Sequence, residues 1–469
     1  MFSGLTVGLA LGACQTATLS KAPIHKQPQI PVHSTPKTDP EGPAFTAKSK
    51  AEAVVATTKV EAALGQTVVT PKRKQVATLP PASEQNVALT RHRKIALLLP
   101  LSGPQARIGR ELLDAAQIAL FDLASEELAI FPFDTNGTPE GASEAATEAV
   151  NAGAELILGP LLAGSVQAVR PVASRAGISV VAFSNSRAVA GDGVYILGFV
   201  PRQQVEAMIE YAVSEGIYRY AALAPNNAYG RAVVTAMKEV AGFHEAVVVR
   251  VQYYDPLATD FTASAKTISD YERRHKALLE QRAELEARED EVSQQVLKRL
   301  EKLDTLGEVD YDAVLLPGSG QQLKAIASLL SFYDVDQPAV RLLGLANWAQ
   351  TANIESEPSL SRGWYAAPPA AERKSFLERY RKIYGRPPAA IASLAYDATA
   401  LAVVLSQSHE RNHFSSSRLA QPYGFLGVDG LFRLRGEGVA ERVFEIREVN
   451  RRGFAIRRPA EKAFPEPGG

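Results

Sequence analysis

From Lys94 onward the chain alternates short apolar runs with longer segments of helical periodicity. Ile95-Ala96-Leu97-Leu98-Leu99 is apolar at five consecutive positions, the texture of a parallel strand covered on both faces. It runs into a turn, Pro100-Leu101-Ser102-Gly103-Pro104, and then a helical pattern from Gly109 to Leu123. The same reading predicts strands over 128–133, 155–158, 178–183, 194–198, 219–224, 246–252, 312–316 and 340–345. Helices are predicted between them, over 139–152, 163–176, 203–216, 229–241 and 320–333. Strand–helix alternation of this kind builds parallel, doubly wound α/β sheets.

Two stretches break the rhythm. Residues 271–303 are about half charged, with Leu278, Leu285, Val292, Val296, Leu300 and Leu303 on one stripe. That pattern predicts a long amphipathic helix or a helical hairpin inserted in a loop, either a solvated face lying on its lobe or a docking arm for a partner. After a long helix over 389–407, the segment 425–457 alternates like an antiparallel meander, as in Leu431-Phe432-Arg433-Leu434 and Val443-Phe444-Glu445-Ile446-Arg447.

Composition changes the picture mainly at the N-terminus. Lys+Arg and Asp+Glu each number 51 in 469 residues, so no basic excess points to nucleic acid. No apolar run reaches the 18 residues of a spanning helix. The single cysteine, Cys14, excludes disulfides within the chain and cysteine-based metal cages. A short apolar stretch, Leu5 to Leu11, leads into Leu11-Gly12-Ala13-Cys14, which resembles the lipobox of bacterial lipoproteins. The resemblance implies a signal peptide over 1–13, cleavage before Cys14 and acylation of its sulfur, although no Lys or Arg precedes Leu5. Gln15 after the cysteine resembles lipoproteins sorted to the outer membrane, so the implied location is the periplasm, lipid-anchored at that membrane. Residues 14–91, rich in Pro, Thr, Ala, Lys and Gln with Phe45 as the only aromatic, read as a lipidated, disordered tether. Fully extended it would span about 250 Å.

Several motifs in order resemble leucine-type periplasmic solute-binding proteins. They are Ile95 to Pro104, Leu156-Ile157-Leu158-Gly159-Pro160-Leu161, Gly177-Ile178-Ser179-Val180, Asn226-Asn227-Ala228-Tyr229-Gly230-Arg231, and Tyr253 to Phe261. Tyr311-Asp312-Ala313-Val314-Leu315-Leu316-Pro317, Leu394-Ala395-Tyr396-Asp397-Ala398 and Gly424-Phe425-Leu426-Gly427-Val428-Asp429-Gly430 are similar to one branch, the penicillin-binding protein activators. The resemblance covers about 93–457 and implies a two-lobed type I periplasmic-binding-protein fold. That fold has two doubly wound, mostly parallel sheets, a hinge crossed three times and an inter-lobe cleft. Lobe one is then expected over 93–200 and 348–424, and lobe two over 201–347 and 425–457, with 271–303 inserted.

By position, the cleft candidates are Ser102, Ser165, Ser184, Ser186 and Tyr229. In amino-acid-binding relatives, hydroxyls and backbone N–H groups at the places of Ser165 and Ser186 hold the ligand carboxylate, and an aromatic at the place of Tyr229 packs on the ligand. The plainer alternatives are helix capping by Ser165 and turn duty for Ser184 and Ser186. Those relatives also carry an acidic residue that pairs with the ligand ammonium, where this chain has Leu345-Ala346-Asn347, and an aromatic expected near Ser319 is absent. A buried ammonium without a counter-charge is costly, so a zwitterionic amino acid is disfavoured unless Asn347, Asp255 or Asp260 substitutes.

His409-Glu410-Arg411-Asn412-His413 matches the zinc-protease pattern H-E-x-x-H, but it falls at a polar helix end with no histidine downstream. The other histidines are scattered, and no catalytic set, metal site or cofactor is expected. The resemblance implies a non-catalytic protein whose partner is either a penicillin-binding peptidoglycan synthase, which it regulates, or an ABC permease, to which it delivers an amino acid or another small polar ligand.

Overall fold

Ile95 to Leu99 are all fully enclosed, and the strand they belong to, β1 (Arg93–Leu99), pairs in parallel on both sides. It joins β2 (Leu128–Asp134), β3 (Leu156–Leu158), β4 (Ser179–Ala182) and β5 (Val194–Ile196) in a parallel sheet of order β2-β1-β3-β4-β5. The helices α1 (Ala106–Asp122), α2 (Pro139–Asn151) and α3 (Ala163–Ala176) connect these strands. α2 starts where the sequence says it must: the Thr138 hydroxyl accepts the Gly141 N–H at 3.0 Å, and Pro139 follows as the first helical residue. Gly109 lets α1 lie against the turn after β1, since a Cβ there would fall 2.0 Å from the Pro100 carbonyl oxygen. The computed structural model describes residues 92–123, 128–288, 290–408 and 412–464. The expected signal peptide, Cys14, the tether and His409-Glu410-Arg411 lie outside the described residues.

The second sheet begins after α4 (Pro201–Ser214) with β6 (Arg219–Pro225), α5 (Ala228–Phe243), β7 (Val247–Tyr254) and α6 (Thr262–Ile268). The inserted pair α7 (Tyr271–Glu286) and α8 (Glu291–Leu300) precedes β8 (Ala313–Leu315), α9 (Gly320–Phe332), β9 (Arg341–Gly344) and β10 (Trp364–Ala367). The chain then returns to the first lobe through α10 (Ala370–Tyr384) and α11 (Ala392–Ser406). Three short antiparallel strands follow, β11 (Phe425–Gly427), β12 (Gly430–Leu434) and β13 (Ala440–Arg442). Finally β14 (Glu445–Asn450) and β15 (Gly453–Arg458) complete a seven-stranded sheet of order β15-β14-β10-β9-β8-β6-β7.

Two expected boundaries are corrected. The second crossing lies at Pro368-Pro369, not at 348, because β10 pairs in parallel with β9, Trp364 opposite Leu343. The third lies at Val443-Phe444, not at 425. Phe432, Leu434 and Ala440 pack into the first-lobe core beside α1 and α11, and the Ile196 N–H donates to the Gly438 carbonyl at 2.7 Å. Alternation along 431–434 specifies burial, and the choice of core is made by partners far away in sequence.

The hinge carries a buried charge cluster. Arg442, last residue of β13, donates through Nε and Nη2 to the Leu197 carbonyl (3.3 and 3.1 Å), so the third crossing is tied to the first. Its guanidinium lies between the Phe199 and Phe432 rings, 4.9 and 5.0 Å from their centroids. Asp397 and Asp429 are both buried beside it, and Arg373 pairs with Asp429. Burial, then the neighbouring Asp429 charge, pushes the Asp397 carboxyl far above its ordinary value, and Arg442 and two backbone N–H groups only partly oppose this.

The 271–303 insertion is a hairpin. Leu278, Leu285 and Leu300 form a small core of their own, whereas Val292 and Leu303 are exposed because the chain turns after α7. Asp290 caps α8, accepting the Ser293 N–H at 2.9 Å. The root of the hairpin is the buried Arg274, which donates to the carbonyls of Gly307 (2.9 Å), Tyr333 (3.0 Å) and Ser269 (3.3 Å).

Candidate functional site: the carboxyl ends of the parallel strands

In open α/β sheets, ligands bind beyond the carboxyl ends of the strands. Ser102 follows β1, Ser184 and Ser186 follow β4, Asn347 follows β9, and Tyr229 stands in the first turn of the helix after β6. Ser165 lies in the first turn of α3, after β3.

The lobe-one wall is locally organised. The Ser102 hydroxyl donates to Asn136 Oδ1 at 3.0 Å and its N–H to Asp134 Oδ1 at 3.2 Å. Asp134 also accepts the N–H groups of Leu101 (2.9 Å) and Asn136 (2.8 Å). Burial opposes its charge, but the Ser102 hydroxyl and these N–H groups prevail and hold the carboxyl below its ordinary value. Ser165 is buried, and its hydroxyl donates to the Thr138 carbonyl at 3.2 Å, tying α3 to the start of α2. It is not the capping residue: Leu162 holds that place and supplies no side-chain acceptor, so α3 begins without a side-chain cap. Ser184 is buried and accepts the Ser186 N–H at 3.2 Å, the turn duty read from the sequence, while the Ser186 hydroxyl caps nothing.

In lobe two, Tyr229 packs against the core, and burial, then the neighbouring Tyr254, raises its phenol above the ordinary value. Asn347 Nδ2 donates to the Pro317 carbonyl at 2.5 Å, bracing the loop after β8 against the loop after β9. Its Oδ1 is buried and has no hydrogen-bond partner among the described residues. Ala346 N–H is held by the buried Gln204 Oε1 at 2.9 Å. Asp255 and Asp260 are exposed and spend an oxygen each on a local N–H, of Leu257 and Thr262 respectively, both at 2.9 Å. Neither carboxylate takes Asn347's place. Ser319 starts α9 without a side-chain cap, and Gly320 N–H is held by the Thr351 hydroxyl at 2.9 Å.

Sequence reading missed Asp134, Asn136 and Gln204. The run Asp134-Thr135-Asn136-Gly137 after an apolar strand is a legible turn signal. Nothing local marks Gln204, whose partner lies 142 positions away. His413 is buried and its Nδ1 contacts the Leu405 carbonyl at 3.1 Å, tying the segment after α11 back to that helix. Among the described residues no group of three or more His, Cys, Asp or Glu is placed to hold a metal ion.

A family model described as periplasmic binding protein matches residues 93–408. The chain belongs to the periplasmic binding protein family. As a member it shares its fold with a putative branched-chain amino acid ABC transporter protein from Rhodospirillum rubrum. That pair is 14% identical, over 78% of this chain and 99% of the other, with a TM-score of 0.60. A branched-chain amino acid transporter substrate-binding protein from Streptococcus pneumoniae, solved with isoleucine, is 18% identical over 79% of this chain and all of the other, TM-score 0.52. A solute-binding protein of an ABC transporter from R. palustris, solved with benzoate, is 17% identical over 79% and 97%, TM-score 0.51. These bear out the two-lobed, mostly parallel α/β fold of leucine type. Among curated sequences, an uncharacterized protein of Rickettsia prowazekii (strain Madrid E) is 24% identical over 178 residues, 38% of this chain, and the match spans about half (47%) of its length.

Proposed function

We propose that this periplasmic binding protein is a non-catalytic, lipid-anchored regulator that activates a peptidoglycan synthase. The observation that carries the reading is Asn347. Just after β9, where the resemblance to amino-acid-binding relatives implies a carboxylate for the ligand ammonium, stands a neutral amide, one N–H of which is given to the Pro317 carbonyl. Asp255 and Asp260, the other candidates for that charge, serve local turns. A cleft stripped of its counter-charge is suited to something other than amino-acid delivery. The stretches similar to penicillin-binding protein activators, at 311–317, 394–398 and 424–430, and the lipobox-like Leu11-Gly12-Ala13-Cys14 support the partner and the anchor. Family membership itself implies a periplasmic location; attachment at Cys14 and the outer-membrane leaflet belong to the proposal.

The test is capture of the full-length protein from detergent-solubilised envelopes, with the co-purifying proteins labelled by a fluorescent penicillin. A labelled synthase that remains through washing supports the reading. An ABC permease recovered without any labelled band overturns it.

A second reading has its own observation. With a neutral amide and no carboxylate after β9, the cleft suits a solute that carries no cation, and this protein would then be the substrate-binding subunit of an ABC importer for a small polar molecule without an ammonium group. Saturable thermal stabilisation by such a ligand, lost in Asn347→Ala, distinguishes it.

A further inference from the structure

The second sheet has a second concavity, at the opposite end of its strands from the cleft. A cavity of about 350 Å³ opens beside the amino ends of β9 and β10. Three arginines reach it from separate pieces of chain: Arg341 opens β9, Arg362 precedes β10 and Arg457 lies on β15. Trp364 lines the same space.

The arginines are held but not neutralised. The Arg341 guanidinium stacks on the Trp364 ring at 4.3 Å, and its Nη1 donates to Gln337 Oε1 at 2.7 Å and the Arg362 carbonyl at 2.8 Å. Its Nε and Nη2 have no acceptor among the described residues. The Arg362 side chain makes no hydrogen bond or ion pair there either. Its backbone sits at φ +66°, a left-handed conformation unusual for arginine, fixed by its N–H to the Val449 carbonyl at 2.8 Å. Among the described residues the Arg457 side chain makes one hydrogen bond, from Nε to the Tyr211 hydroxyl at 3.3 Å.

The carboxylates at the rim are largely spoken for. Asp312 is gripped by both arms of Arg219, at 2.5 and 3.2 Å, and Glu448 accepts the Trp364 indole N–H at 3.0 Å. Glu215 is exposed. Burial first, then the like charges of Arg362 and Arg457, lowers the affinity of Arg341 for its proton despite Glu448. Glu215, Asp312 and Glu448 share the lining with the three arginines, but among the described residues none of these carboxylates closes an ion pair with Arg341, Arg362 or Arg457, whose forks stay open to the recess.

We propose that this cavity is an oxyanion site, taking a phosphate or carboxylate group on the guanidinium forks of Arg341, Arg362 and Arg457 beside Trp364. Planar forks suit such groups bidentately. The volume is near the lower end for small-molecule sites, about 300–1,000 Å³, which fits a small anion or the anionic head of a larger molecule. The site is independent of the cleft and of the function proposed for it.

The test uses full-length protein and the double variant Arg362→Gln/Arg457→Gln, whose two side chains are exposed, with circular dichroism to show that the fold is kept. Inorganic phosphate and citrate are titrated at constant ionic strength, and binding is read by calorimetry and melting temperature. In a separate arm, vesicles of phosphatidylcholine with and without phosphatidylglycerol are offered. The expected result is saturable binding that raises the melting temperature by about 2–4 °C near saturation, weakened at least tenfold in the double variant. Binding confined to phosphatidylglycerol vesicles and lost in the variant assigns the oxyanion to a lipid headgroup; binding of the free anions assigns it to a soluble ligand. No saturable binding in any arm, or equal affinity in the double variant, overturns the proposal.

Discussion

Arg442 Nη1 lies 3.8 Å from Asp397 Oδ2, both side chains essentially unexposed, and neither atom has a hydrogen-bond partner among the described residues. The pair faces one another across the hinge core without closing, while Asp429, itself held by Arg373, adds a second carboxylate to the same pocket of charge.

This arrangement makes stability depend on pH. The folded Asp397 carboxyl titrates above its unfolded value, pushed up to about 7 by burial and then Asp429, so the folded state holds the proton more tightly. Its contribution is fully present below the ordinary carboxylate range and is lost as pH rises through about 7. Between pH 5 and pH 8 the wild-type melting temperature should fall by a few degrees, and Asp397→Asn should flatten that slope. Equal slopes in the two proteins would remove Asp397 as the titrating group.

Removing the other partner should be worse. Arg442→Ala leaves Asp397 without its nearest cation and empties the space between Phe199 and Phe432. The expected loss is about 3–5 kcal/mol in urea unfolding. A loss below about 1 kcal/mol would mean that the cluster rearranges freely.

The α7–α8 hairpin should behave as a separate unit. Arg274→Ala deprives three carbonyls of their donor at its root. Hydrogen exchange should accelerate across 271–303 while β6 and β8 stay protected. A uniform increase over the whole second lobe would contradict an independent hairpin core.

Two glycines with left-handed backbones should respond differently to alanine. At Gly159 (φ +85°) a Cβ would fall 2.2 Å from the Leu98 carbonyl oxygen, so the backbone of β1 must move; about 2–4 kcal/mol is expected. At Gly177 (φ +67°) nothing lies within 4 Å, and only the conformational cost of about 1 kcal/mol remains. Chemical denaturation of both variants gives the comparison directly.

If the cleft lacks only its counter-charge, Asn347→Asp should restore it. Calorimetry with leucine should then detect binding at least tenfold tighter than wild type. An unchanged titration would place Asn347 outside the ligand's reach.

The sequence announced its strands where burial on both faces left no polar position, as at Ile95–Leu99 and Leu156–Leu158. It was silent on which sheet a strand joins. Phe432 and Ile446 sit in similar alternating runs, yet one packs against the first-lobe core and the other against the second. Ser102, Ser184, Ser186 and Asn347 were legible as positions just after strands, because that follows from chain order alone. Their hydrogen-bond commitments were not: Ser165 to Thr138 and Gln204 to Ala346 are decided by helix placement over 27 and 142 positions.

The three crossings also bear on how the chain reaches this fold. Tyr380 donates to the Asp114 carboxylate at 2.7 Å across 266 positions, and α11 supplies the apolar wall that α1 lacks. Closing the first-lobe core therefore waits on a helix that lies beyond the whole parallel part of the second lobe. Until that helix docks, half of a hydrophobic core stands exposed. Refolding of the purified protein should accordingly be slow for its size and prone to aggregation at high concentration, whatever the equilibrium stability of the finished molecule.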